Sequence, residues 1–225
     1  MTMHEEIIKE IRQRCRMAMN GIVSASMREK GLMYKLNFGL TIQQIKDIAK
    51  DYQQDASLSE TVWKEDVREL KILATMLYPV SEFTEATAER WIGGEITNQE
   101  IREQLCLNLL QNFPYASNLV KRWSSSTDMD KRTTGYWLLA RLFLAKKMDK
   151  TNLDLFPPFI NDDVISENTL LRNAALLALK HIGRQSREVS DKILDDLSIY
   201  KDNTDPIKQE VYNSLHFEFD YYFNG

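Results

Sequence analysis

The sequence predicts an all-α protein, a curved solenoid of paired helices, and three observations carry that prediction. Glycine and proline are scarce, 8 and 5 in 225 residues, too few for the many turns of an all-β fold. Apolar residues recur at steps of three and four almost throughout, the period of helices that bury one face. Four segments also begin alike, with arginine second and an apolar helical run behind it: "VRELKILATMLYP" from Val67, "IREQLCLNLLQNFP" from Ile101, "KRTTGYWLLARLF" from Lys131 and "LRNAALLALKHIG" from Leu171. Their arginines, Arg68, Arg102, Arg132 and Arg172, are 34, 30 and 40 residues apart, the range of paired-helix repeats with loops of varying length. Each pair would bury a face against the next, so the repeats share a core that none could form alone.

In chain order the pattern predicts helices over 3–19, 21–30, 41–54, 60–78, 83–92, 98–112, 115–123, 129–147, 152–162, 167–182, 187–199 and 206–219. Thr41 with Gln44, Ser57 with Glu60 and Thr97 with Glu100 have the spacing at which a hydroxyl and a longer side chain cap one helix start reciprocally. Pro79, Gly93-Gly94, Pro114 and Gly183 follow periodic runs as stop signals, and Asp205-Pro206 opens the last helix. Leu105, Leu109, Leu138, Leu142, Leu176 and Leu179 are expected in the inter-repeat core. No low-complexity linker divides the chain, so residues 1–225 read as a single domain.

Composition removes several kinds of chemistry. Cys15 and Cys106 are too few for a disulfide framework and have no zinc-like spacing, and His4, His181 and His216 are scattered, so neither a metal site nor a cofactor is expected. Asp162-Asp163 and Asp195-Asp196 are adjacent pairs that diverge on a helix and read as solvated turns or caps. The opening lacks a signal-peptide core, and the greasiest run, "YWLLARLFLA", is short and interrupted by Arg141. The expectation is a cytoplasmic, monomeric protein with no membrane partner. The tail "LHFEFDYYFNG" reads as an aromatic cap over the last repeat, with base stacking as the competing use.

Charge is unevenly spread. The net charge is −4, yet residues 1–50 carry +4, 51–120 carry −7, 121–150 carry +5 and 151–225 carry −6. The positive block holds Lys121, Arg122, Lys131, Arg132, Arg141, Lys146, Lys147 and Lys150 around Trp123, Tyr136 and Trp137. A solvated face with core aromatics and a phosphate-binding surface both fit it.

"SENTLLRNAALLALKHIG" at 166–183 resembles the second half of a HEAT repeat, in which an arginine near the start of the inner helix bonds an acidic side chain or helix-end carbonyls of a neighbouring repeat. Asp66, Glu100 and Glu167 are the expected local or cross-repeat partners of Arg68, Arg102 and Arg172. With "NFGLTIQQIKDIAKDY" at 37–52, "DVRELKILATMLY" at 66–78 and "RWSSSTDMDKRTTGYWLLARL" at 122–142, the chain over about 35–215 resembles the bacterial HEAT-like-repeat alkylpurine DNA glycosylases, the DNA alkylation repair family. The resemblance implies a solenoid whose concave, basic face holds duplex DNA, alkylated DNA included, mainly by its phosphates.

Active members resembling this chain place an aromatic and an acidic residue four positions apart on the helix that begins here near Asn98, and a tryptophan on the helix after Arg172. Ile101, Leu105 and Leu177 stand at those places, so no catalytic residue is assigned and base excision is in doubt; a shifted register would bring in Glu100 or Glu103. Aliphatic side chains cannot stabilise positive charge developing on a sugar. Arg132 alone matches, and with Lys131, Lys121 and Arg122 it forms the expected DNA-binding set. Its alternative is a structural arginine bonded to Asp128 or Asp130. A protein-binding helical scaffold without enzymatic activity is the second functional reading.

Overall fold

The computed structural model describes residues 3–94, 96, 98–148 and 156–225. Among them the chain is helical with no strand, as the periodicity predicts, apart from an isolated parallel bridge between Leu36 and Val67. The helices are α1 (Met3–Met17), α2 (Gly21–Glu29), α3 (Ile42–Ala49), α4 (Ala56–Trp63), α5 (Arg68–Leu77), α6 (Glu85–Ile92), α7 (Gln99–Asn108), α8 (Ala116–Ser124), α9 (Met129–Leu144), α10 (Ile160–Asp163), α11 (Thr169–Gly183), α12 (Arg187–Asp196) and α13 (Pro206–Asn224). Single 3-10 turns follow α7 and α12.

The contacts gather into two compact units, Met1–Ala88 with Ile96–Asn112 and Glu89–Glu95 with Phe113–Gly225. In the first, α4 packs on α5, and α5 lies between α3 and α7. In the second, α8 packs on α9, α10 on α11 and α12 on α13, while α11 lies between α9 and α13. The second members of successive pairs thus lie side by side, the stacking that paired-helix repeats need to share a core. Leu105 and Leu109 are fully buried in the first unit, and Leu138, Leu142 and Leu179 are buried in the second; Leu176 is half-buried.

Local signals account for several helix ends. Thr41 and Gln44 form the expected reciprocal cap at α3, and Asp205 caps α13 ahead of Pro206 at its first turn. Ser57 does not cap: Asp55, two residues earlier, accepts from the Leu58 amide at 2.6 Å and starts α4 sooner than expected. At α7 the N-cap is Asn98, without a side-chain cap bond, and Thr97 lies outside the described residues. The helix expected over 60–78 is two helices. Val67 is extended because the chain at 66–68 pairs with Leu36, whose amide donates to the Asp66 carbonyl and whose carbonyl accepts from the Arg68 amide, each at 3.2 Å. Of the helix expected over 152–162, residues 152–155 lie outside the described residues, 156–159 are not helical because Pro157-Pro158 interrupt them, and α10 covers the end.

Gly39 makes the tight approach beside that bridge. Its φ is +73°, and a Cβ there would stand 2.3 Å from the Asn20 carbonyl oxygen and 2.7 Å from the Ser24 amide nitrogen. The start of α2 rests on this turn, with Asn20 N–H donating to the Phe38 carbonyl and Ser24 Oγ to the Asn37 carbonyl. Only glycine meets both the dihedral and the space.

Candidate nucleic-acid interface

The expected DNA-binding residues lie where α8 turns into α9. Trp123, Leu119 and Val120 bury one side of α8 and leave Lys121 and Arg122 exposed in its last turn. Asp128 then caps α9, its carboxylate accepting from the Asp130 and Lys131 amides at 2.9 and 3.1 Å. That carboxylate occupies the anion-binding end of the helix, where a phosphate would otherwise be received.

Arg132 faces its own protein. Its Nε and Nη2 donate to the two oxygens of Asp163 at 2.8 and 3.2 Å, and Nη1 donates to the Ser126 and Thr127 carbonyls. The guanidinium also lies 5.2 Å from the centre of the Phe159 ring. Tyr136 donates to the same carboxylate at 2.7 Å, and burial first, then this bond, raises the phenol above its ordinary pKa. Asp163, 6% exposed, therefore serves as an internal acceptor, in place of Asp128 or Asp130 and in place of the solvated turn expected of Asp162-Asp163. Lys131 is engaged as well: its ammonium stands 2.8 Å from Glu89, which also accepts from the Trp123 ring N–H, and the lysine leads in holding Glu89 below the usual carboxylate range. Of the four expected residues, Lys121 and Arg122 are exposed, with the charge of Arg122 adding to the lowering of the Glu89 pKa, and Lys131 and Arg132 form ion pairs.

The first unit repeats the arginine arrangement. Arg68, 2% exposed, makes a bidentate pair with Glu100 at 2.7 and 2.5 Å and donates to Glu69 and to the Leu40 carbonyl. Burial works to lower its pKa, and the bonds and charges of Glu100 and Glu69 outweigh that and raise it. Glu69 in turn accepts from the Phe38 and Leu40 amides. The expected carboxylates are reassigned: Asp66 accepts from the Lys35 amide, and Glu100 serves Arg68. Arg102 is buried, and Arg172 donates to the Ser166 carbonyl and the Thr169 hydroxyl. Sequence reasoning missed Asp163 and misassigned Glu100, yet a signal was present. The two partners stand 31 and 32 residues beyond their arginines, one repeat ahead in both cases.

The places compared with catalytic residues are apolar, and the two on α7 are enclosed. Ile101 and Leu105 are 1% and 0% exposed, and Leu177 is half-buried. On α7 the remaining carboxylates are Glu100, committed to Arg68, and half-buried Glu103, whose pKa is raised by burial and then by Glu100. Trp137 and Arg141, one turn apart on α9, are half-buried, and the Trp137 ring N–H has no hydrogen-bond partner. Cys15 is a buried thiol pushed up to about 12, chiefly by burial, which suppresses the reactive thiolate. No cluster of metal-binding side chains occurs among the described residues, nor a helix long and apolar enough to cross a membrane.

The comparisons agree with this architecture. A solved structure described as "A new family of proteins related to the HEAT-like repeat DNA glycosylases with affinity for branched DNA structures" is similar with a TM-score of 0.74 over 95% of this chain and 94% of that one, at 15% identity. That likeness is one of fold. A search of the curated proteins finds no match. The sequence model of the DNA alkylation repair enzyme family, however, matches residues 20–206, the helical repeats from α2 to the start of α13, and the chain belongs to that family.

Proposed function

We propose that this protein binds duplex DNA through its phosphates and does not excise bases. Family membership over residues 20–206 is the observation that carries the DNA reading, and the exposed cations Lys121 and Arg122 are the contacts best placed for it. Neutralising phosphates releases condensed counterions, so such contacts give affinity that falls with salt and carries little sequence preference. Lys131 stands beside them but shares its charge with Glu89, and Arg132 contributes by fixing the start of α9 rather than by meeting a phosphate. Against excision stand Ile101 and Leu105, which are enclosed in the core and offer no carboxylate or ring to a flipped base. Glu103 is the carboxylate on α7 that an excision mechanism would have to use.

Fluorescence anisotropy with a labelled duplex at several salt concentrations tests the reading. The double variant Lys121→Gln/Arg122→Gln is expected to bind more weakly and to lower the salt slope by about two, about one per cation. Wild-type protein that fails to bind duplex at low salt would overturn the proposal. Turnover of alkylated duplex well above the spontaneous rate, abolished by Glu103→Gln, would overturn its second half.

A further inference from the structure

The aromatic tail continues α13 and caps the last repeat with part of its rings: Phe219 is buried against Gly183 of α11, while others stay exposed. Val211, Tyr212, Leu215 and Phe219 bury one side of that helix. On the opposite side Phe217 and Tyr221 are 72% and 71% exposed, with ring centres 6.3 Å apart and planes 14° from parallel. Two large rings held side by side in water form an apolar platform with open π faces.

The neighbouring rings show what such a face takes at this end of the molecule. Arg184 lies 5.4 Å from the centre of the Tyr222 ring while bonding Glu218, and Arg187 lies 5.3 Å from that of Phe223 while donating to Asn224 Oδ1. Both arginines combine a ring with an oxygen acceptor. Among the described residues no cation lies over the Phe217–Tyr221 pair. Asp220, which also accepts from the Asn224 side-chain amide, is exposed one turn from Phe217, and Glu210 is exposed two turns before it on the same side of α13. Asp220 and Asp191 line, with Arg187 and His216, an adjoining cleft of about 120 Å³. Residues 187–225 carry four basic and nine acidic side chains, a net charge of −5. That field draws cations and repels phosphate.

We propose that the outer face of α13, built on Phe217 and Tyr221 with Glu210 and Asp220, is a docking surface for an arginine-rich segment of a protein partner. A guanidinium suits it better than an ammonium, because it stacks flat on a ring while its edge donates two parallel bonds to a carboxylate. A nucleic-acid strand would gain stacking but meet like charge, and a second copy of the chain would bring the same acidic face.

The test uses the full chain and a short fluorescein-labelled peptide of alternating arginine and serine at low ionic strength. Saturable binding is expected, with the Phe217→Ala/Tyr221→Ala variant weaker by about tenfold, since two cation–π contacts are lost. The lysine analogue of the peptide is expected to bind wild type more weakly than the arginine peptide. Glu210→Gln/Asp220→Asn, which keeps both rings, is a second variant expected to reduce arginine-peptide binding. Absent peptide binding, or binding that the ring variant leaves unchanged, overturns the proposal. So does an oligothymidine ligand whose binding depends on the two rings, or self-association of wild type that the ring variant abolishes.

Discussion

Arg132 is held by the bonds that also hold Asp163. The arginine and aspartate side chains are 14% and 8% exposed, so removing one partner strands a charge that water hardly reaches. Arg132→Gln is therefore expected to cost about 3–5 kcal/mol in urea denaturation, as for other broken buried pairs, and to leave any phosphate contacts of Lys121 and Arg122 intact. A loss below about 1 kcal/mol, the range of exposed pairs, would return Arg132 to the surface. The position of Arg132 was legible in the sequence because it heads one of four alike segments whose arginines recur 30 to 40 residues apart. Its partner was not legible, because the nearby carboxylates Asp128 and Asp130 compete on proximity, and Asp128 is occupied with the helix amides. The same difficulty hid Glu100, which precedes Arg102 in sequence but reaches back to Arg68.

At the level of elements, helix existence followed from apolar periodicity, and boundaries followed wherever a side chain bonded its own helix end. Thr41 and Asp205 are of that kind. The boundary between α4 and α5 is set from outside, by the pairing of Leu36 with residues 66–68, and nothing local in "WKEDV" announces it. Gly183 was read as a stop and has a second use. It ends α11, and a Cβ there would lie 2.2 Å from the Phe219 ring, so the glycine is the notch into which α13 settles. Gly183→Ala is expected to destabilise by about 1–3 kcal/mol through this overlap, despite the better helix propensity of alanine. Hydrogen exchange should show the amides of α13 losing protection before those of α9. Unchanged protection of α13 would mean that Phe219 turns aside without loss.

For the molecule as a whole, stability should fall in acid for an identifiable reason. His181 is 7% exposed, and burial first, aided by Arg184, holds its pKa down to about 4 against the opposing charge of Glu218. An imidazole that titrates lower in the folded state than in the unfolded chain stabilises fully above about pH 6.5, and that contribution is lost as pH falls toward the folded value. The shift corresponds to something on the order of 3 kcal/mol, so His181→Leu should lose much less stability than wild type between pH 7 and pH 4.5 in parallel urea titrations. Equal losses would place the acid sensitivity in the carboxylates. The arginine pairs impose a direction on assembly. Arg68 waits for Glu100 and Arg132 for Asp163, each supplied by chain 31 or 32 residues later. On a ribosome adding roughly 5–20 residues per second, each early repeat therefore waits about 2–6 seconds for the carboxylate of its successor, although Arg68 has Glu69 beside it from the start. Until its successor emerges, that repeat is an open end: it cannot close over its own arginine, and the nascent chain matures from behind, each segment locked by the one synthesised after it.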